Sequence, residues 1–106
     1  MGDVSPAQLN AELAQSPRTF LLINVHIPVS GHIPGTDADI AYNDPAGIAQ
    51  FIGADKSKPV VIYCMSDSMS KDVGPKLVAA PYQYCNIRQL TGGLSAWRTA
   101  GYTVDP

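Results

Sequence analysis

The segment that most constrains the fold is residues 59–70, in which an apolar, β-branched run ends in a cysteine. Pro59-Val-Val-Ile-Tyr63 has the length and composition of a strand buried on both faces of a parallel sheet. Cys64 ends the run, small or flexible residues follow it, and a stretch of helical composition begins at Ser70. The segment therefore predicts a strand–loop–helix unit with a thiol at the carboxyl end of the strand, where ligands and reactive groups collect in open α/β sheets.

The rest of the chain alternates between strand-like and helix-like segments. Strands are predicted at 20–25, 38–42, 59–63 and 86–90. Helices are predicted at 6–15, 45–52, 70–80 and 94–100. Pro75 lies inside the third of these helices, so we expect an irregular first turn or a kink there. The alternation indicates an α/β fold with a largely parallel sheet and right-handed crossovers.

Length and composition narrow the classes of protein. A chain of 106 residues is the size of one domain, which we place at 1–106, and we expect a monomer. The net charge of −2 comes with no run of Lys or Arg, so nucleic acid and anionic membranes are not expected as partners. No apolar stretch approaches the ~18 residues of a membrane span, and the N-terminus does not resemble a signal peptide. The sequence as given predicts a cytoplasmic protein.

Cys64 has two interpretations before any family is considered. A helix that follows the loop would direct its unpaired N–H groups and the positive end of its dipole at the sulfur, which favours a reactive thiolate and can hold an anion. The alternative is an inert cysteine packed in the core.

We expect Cys85, His32 and Trp97 to have structural rather than catalytic roles. Cys85 lies just before the 86–90 strand, so we expect it at the opposite edge of the sheet from Cys64, as a small core residue. We expect His32 to order its own loop and Trp97 to pack in the core. The spacing of the His and Cys residues matches no zinc pattern, and neither a metal nor a cofactor is predicted.

Three segments in order resemble one family. They are Gly31-His-Ile-Pro-Gly35, the strand that ends in Tyr63-Cys64, and Leu90-Thr-Gly-Gly-Leu-Ser-Ala-Trp-Arg-Thr-Ala-Gly-Tyr102. Together they are similar to the motifs of single-domain rhodanese-like sulfurtransferases. The resemblance implies a mostly parallel five-stranded sheet with helices on both faces.

The resemblance also implies a chemistry. Cys64 would be the nucleophile, taking a sulfane sulfur from thiosulfate, a polysulfide or a protein persulfide and passing it to a thiol or cyanide. The substrate-binding loop would consist of Met65, Ser66, Asp67, Ser68 and Met69. Rhodanese-like domains also serve as protein-binding or regulatory modules, and that is the alternative function here.

The loop departs from the family pattern in its charges. It contains no Arg or Lys, Asp67 stands where glycine is usual, and Met69 stands where arginine is frequent. A carboxylate near Cys64 would oppose the thiolate and repel a dianion, so we expect weak turnover of thiosulfate. Asp67 could instead cap the following helix, and Ser70 is the other candidate for that cap.

Two further positions bear on the chemistry. Asn24 and His26 replace the Asp and Arg that the family often carries, and His26 is a possible auxiliary in proton movement. The phosphatase signature requires an Arg six residues after the cysteine to bind the phosphoryl oxygens, but Ser70 occupies that position. Phosphoryl transfer is therefore not expected.

Overall fold

The computed structural model describes all 106 residues as one parallel sheet flanked by helices. The strands are β1 (Gly2–Val4), β2 (Leu21–Asn24), β3 (Ala38–Asp39), β4 (Val60–Tyr63) and β5 (Ile87–Leu90). The helices are α1 (Pro6–Leu13), α2 (Pro45–Ile52), α3 (Ser68–Val78) and α4 (Gly93–Thr99). The strand order is β1-β5-β4-β2-β3, and every pair is parallel. The predicted α/β class, with five strands and helices on both faces, is confirmed.

Alternate residues of the strands supply the two halves of the core. Ile62 and Cys64 contact the cluster that contains the buried residues of α2 and α3. Val61 and Tyr63 contact the cluster that contains those of α1 and α4. Trp97 belongs to the second cluster and is buried, with Nε1 donating to the Thr103 carbonyl at 2.8 Å, so its predicted core position is confirmed.

Strand β1 was not predicted from the sequence. It is three residues long, contains no apolar run, and lies at the sheet edge beside β5. Helix α3 begins at Ser68 rather than Ser70, continues through Gly74 and Pro75, and ends at Val78 rather than at residue 80. Pro75 lacks an N–H, which removes one intrahelical hydrogen bond but leaves the later turn intact, with Ala79 N–H donating to the Pro75 carbonyl.

The first two helices begin at side-chain caps. Ser5 caps the start of α1 as expected by accepting from Gln8 N–H at 3.1 Å, but this helix ends at Leu13 and is shorter than predicted. Helix α2 has the predicted bounds, with Asp44 accepting from Gly47 N–H at 3.0 Å. None of the four helices has the length and apolarity that a bilayer crossing requires.

Candidate active site

Cys64 follows directly after β4 at the carboxyl end of the sheet, as predicted. Its side chain faces α3 and retains only 1% of its accessible surface. Sγ lies 3.6 Å from Oγ of Ser70, a residue of the first turns of α3, and donates to it. The thiol therefore lies between β4 and α3, and its hydrogen-bond partner is the hydroxyl of Ser70 on that helix.

The start of α4 anchors the backbone just after β4. The N–H groups of Leu94 and Ser95 donate to the carbonyls of Cys64 and Met65, at 2.8 and 2.9 Å. Gly93 has a φ of +61°, and a Cβ there would collide with the carbonyl oxygens of Cys64 and Ser66. The glycine is thus required twice, for its left-handed backbone and for the close approach of the loop.

The carboxylate of Asp67 forms part of the same anchor. Asp67 precedes α3, but its side chain makes no capping hydrogen bond to that helix. Its Oδ1 instead accepts from Gly92 N–H at 2.8 Å, and Lys71 Nζ lies 4.0 Å from Oδ2. The expectation that Asp67 caps α3 is wrong, because the Gly92 amide offers a partner on the neighbouring turn.

Ser70 is not a helix cap either. It lies inside α3, is fully buried, and donates from Oγ to Oε1 of Gln89 at 2.8 Å. Gln89 is also fully buried and donates from Nε2 to Oδ1 of Asp3 at 2.8 Å. Sequence reasoning missed Gln89 and Asp3, although a glutamine in a strand predicted to be buried is a signal, because buried amides need partners.

The other predicted loop residues are spread around the thiol. Met65 is half-buried against the core cluster of α1 and α4, and Met69 against that of α2 and α3. Ser66 and Ser68 are exposed. His26 is half-buried, and no hydrogen bond joins it to Cys64. The structure therefore brings Cys64 and Ser70 together and leaves His26 outside that contact.

Asn24, the last residue of β2, and His32 hold the loops that follow this strand. Oδ1 of Asn24 accepts from the backbone N–H of His26 at 3.0 Å, and its Nδ2 donates to Asp39 at 3.1 Å. The His32 ring lies 2.8 Å from Oδ2 of Asp39 and 3.1 Å from the Pro106 carbonyl. The hydrogen bond to Asp39 and then that to Pro106 raise the pKa of His32 above its ordinary value. His32 thus orders its loop, as the sequence suggested.

Cys85 lies just before β5, at the opposite edge of the parallel sheet from Cys64. The prediction of opposite edges is confirmed, and both cysteines are free. The prediction that Cys85 is a core residue is wrong. Its side chain is exposed, with Sγ 3.3 Å from the Lys56 carbonyl, because it precedes the strand and does not share the strand's burial. No three His, Cys, Asp or Glu side chains converge as a metal site.

Sequence comparison identifies the family of this chain. The sequence model of the rhodanese-like domain matches residues 7–100. The chain belongs to the rhodanese-like domain family. No functionally curated protein matches it at significant similarity.

Solved structures share this rhodanese-like fold. A rhodanese-related protein from Thermoplasma volcanium is 19% identical with a TM-score of 0.78, over 98% of this chain and 97% of that one. A thiosulfate sulfurtransferase from Pseudomonas aeruginosa is 20% identical with a TM-score of 0.78, over 98% of this chain and 19% of that one. A yeast protein tyrosine phosphatase of the rhodanese family is 18% identical with a TM-score of 0.66, over 96% and 93%. At these identities the likeness shows the fold alone, and relatives of this rhodanese-like domain include both sulfurtransferases and phosphatases.

Proposed function

We propose that this rhodanese-like domain is a sulfurtransferase that carries sulfane sulfur as a persulfide on Cys64. The observation that carries the proposal is the position of this thiol, at the carboxyl end of β4 and in a loop held between α3 and α4. In a rhodanese-like domain, a cysteine at this position supplies the nucleophile. The loop from Met65 to Met69 would surround the transferred sulfur.

The reaction divides into two half-reactions. With thiosulfate, the Cys64 thiolate attacks the outer sulfur, a new S–S bond forms, and sulfite leaves with the electron pair of the broken S–S bond. A thiol or cyanide then attacks the outer sulfur of the persulfide, which yields a new persulfide or thiocyanate and restores the thiolate. Because the sulfur is held covalently between the steps, ping-pong kinetics are expected.

The charges around the loop favour a donor other than thiosulfate. No Lys or Arg lies between Cys64 and Ser70, and the Asp67 carboxylate is held at the same end of the sheet. Lys71 Nζ lies 4.0 Å from Oδ2 of Asp67, on the exposed side of α3. A free dianion gains little there, and an inorganic polysulfide is a dianion like thiosulfate, whereas a persulfide carried on a protein has at most one negative charge on its outer sulfur. We therefore propose a protein persulfide, or a polysulfide chain carried on a protein, as the natural donor.

A second function is favoured by the burial of the thiol. Sγ is nearly inaccessible, so a donor must displace side chains to reach it. A protein-binding or regulatory module, with weak or no thiosulfate activity, would not need that access. Phosphatase activity lacks support from the site, because Ser70 occupies the position of the phosphate-binding Arg and is engaged with Cys64 and Gln89.

Intact mass spectrometry after incubation with thiosulfate or polysulfide tests the proposal. We expect the protein to gain the mass of one sulfur atom, reversibly by reductant, in the unmodified chain and in C85A but not in C64A. Folded protein that gains no sulfur from any donor would contradict the proposal and support the binding module. Comparison of rates with thiosulfate and with a persulfidated carrier protein then tests the donor, since a strong preference for thiosulfate would contradict that part alone.

A further inference from the structure

A chain of hydrogen bonds runs behind the thiol from Cys64 to the edge strand β1. It passes from Cys64 to Ser70, from Ser70 to Gln89, and from Gln89 to Asp3, and we call these four residues the relay. Asp3 and Gln89 are direct partners in the parallel register of β1 and β5. Ser70 and Gln89 are fully buried, and no buried side-chain nitrogen or oxygen in the protein lacks a partner. The relay is thus complete, buried at Cys64, Ser70 and Gln89, and open to solvent at Asp3, which is exposed.

The chemistry of Asp3 gives the relay one direction. An ionised carboxylate can only accept, so the amide of Gln89 must present Nε2 to Asp3 and Oε1 to Ser70. Oε1 can only accept, so the Ser70 hydroxyl directs its single proton at it over 2.8 Å, and the Asp67 backbone carbonyl, 3.2 Å from Oγ, is a second and longer acceptor. Ser70 then has only a lone pair to offer Cys64, which is the correct partner for a protonated S–H and the wrong one for a thiolate.

We propose that Asp3, acting through Gln89, fixes Ser70 as an acceptor and so keeps Cys64 protonated at rest. Formation of the thiolate would draw the Ser70 hydroxyl proton to Sγ and leave Oε1 of Gln89 buried without a donor. Asp3 and Gln89 are positioning residues in this scheme, and Ser70 contacts the reacting sulfur. The inference rests on the proposed function for its consequence, which is a nucleophile with a smaller thiolate fraction, and so a slower reaction with sulfur donors, than the same cysteine would have beside a hydrogen-bond donor.

Other charged groups occur on the elements packed around the thiol, but none is hydrogen-bonded to Sγ. They are Asp67, Lys71, Asp72 and Lys76 at or on α3, Asp3 on β1, the Met1 amino group, His26 after β2, Asp44 before α2, and the Arg88–Glu12 pair on the other face of the sheet. Their fields act on Sγ whether or not the relay is intact, which allows the two effects to be separated.

The test compares D3N with the parent in a C85A background, so that Cys64 is the one thiol that titrates. An Asn at position 3 can donate to Gln89, which allows the amide to turn over and donate to Ser70. The Ser70 hydroxyl then has only the Asp67 carbonyl, at 3.2 Å, as an acceptor besides the sulfur, and a charged thiolate is the stronger acceptor of the two. Thiolate formation is followed by its ultraviolet absorbance against pH, with the C64A protein subtracted. This titration needs no sulfur donor and no access of a reagent to the buried sulfur.

We expect D3N to move the midpoint of thiolate formation down by about one pH unit, which is roughly tenfold more thiolate below the midpoint. The same D3N change in an S70A background removes the same charge but meets a broken relay. There the midpoint should move by a small fraction of that amount. Q89M, which keeps the side-chain length without hydrogen bonds, is the second relay-breaking background if S70A does not fold.

Equal midpoints for D3N and the parent would overturn the inference. An undiminished effect of D3N in the S70A or Q89M background would also overturn it, because the effect would then come from the charge of Asp3 alone. Failure of the proposed function is distinguishable from both outcomes. A protein with the relay effect that never gains sulfur in the mass experiment would keep the relay and lose the sulfurtransferase.

Discussion

Consecutive residues of the central strands β4 and β5 point to opposite faces of the sheet, and the two faces differ in their polar side chains. The scaffold face, packed by α1 and α4, carries Tyr63 and Arg88, and the thiol face, packed by α2 and α3, carries Cys64 and Gln89. Arg88 donates to both carboxylate oxygens of Glu12 on α1, at 2.7 and 2.9 Å. Adjacent residues of β5 thus carry a charged group, Arg88 paired with Glu12, on the scaffold face and a neutral amide, Gln89, on the thiol face.

The hydroxyl of Tyr63 shows the same division of roles on β4. It accepts from Ile33 N–H at 3.2 Å and lies 2.7 Å from Oγ1 of Thr36, and burial raises its pKa above the ordinary value. On the thiol face the next residue, Cys64, contacts only a neutral hydroxyl among its polar neighbours. The comparison teaches that the strand residues of the scaffold face include a charged pair and a loop-holding hydroxyl, whereas the polar groups nearest the sulfur on the thiol face, Ser70 and Gln89, are neutral and have hydrogen bonds whose direction can be fixed.

The largest expected effect is at Gly93, where the loop between the two faces is anchored. G93A places a Cβ against the carbonyls of Cys64 and Ser66 at a φ of +61°, so we expect a loss of roughly 3 kcal/mol or more in the free energy of unfolding. G101A is the matched control, because Gly101 has a φ of +88° with nothing near its Cβ, and it should lose only about 1 kcal/mol. Urea unfolding measures both. Equal losses would show that loop contact adds nothing to the cost of the backbone conformation.

The second effect tests whether the ion pair on the scaffold face acts on stability alone. The Arg88 hydrogen bonds lower the pKa of Glu12 from its ordinary value to about 2. Since the folded pKa is lowered, the carboxylate stabilises the fold above its ordinary pKa, and this contribution is lost as the pH falls from about 4.5 to about 2. With partial exposure discounted, E12Q should lose about 1–2 kcal/mol near neutral pH.

The pH dependence and the thiol titration together decide this second prediction. The difference between E12Q and the parent should shrink as the pH approaches 2, whereas the midpoint of thiolate formation should move much less than in D3N, because Glu12 acts on Sγ only through its field. D72N, which breaks an exposed pair with Lys76 at 3.5 Å, is the control and should cost at most about 0.5 kcal/mol. A stability difference that is constant with pH would contradict the assigned role of Glu12, and a thiol shift as large as that of D3N would contradict the separation of the two faces.

Much of the fold and one residue of the site follow from local sequence. The apolar run before Cys64 locates β4 and the thiol, and Asp44 and Gly53 bound α2 correctly, because burial and caps are local properties. Strand β1 and the contact of Asp3 with Gln89 could not be predicted, since they depend on which strand β5 selects as its neighbour. The role of Asp67 was misjudged because its partner, the Gly92 N–H, lies 25 residues away along the chain. Cys85 was misjudged because it precedes β5 and does not share the burial of that strand.

The smallest expected effect concerns Asp67, which touches the loop anchor between the two faces and not the thiol. D67N retains an oxygen that can accept from Gly92 N–H, so its unfolding free energy should fall by less than about 0.5 kcal/mol, whereas D67A should lose about 1 kcal/mol with the hydrogen bond. Because D67N removes the charge and keeps the anchor, it isolates repulsion of an anionic donor, and we expect thiosulfate turnover to rise roughly fivefold at an effective dielectric near 20 with solvent screening. The steady-state rate with thiosulfate is compared with the rate of modification by a neutral alkylating reagent, which reports any change in the thiolate fraction, and the thiosulfate rate should rise by the larger factor. An unchanged thiosulfate rate in D67N would mean that the carboxylate serves the anchor alone and that the loop disfavours thiosulfate through its lack of Arg and Lys.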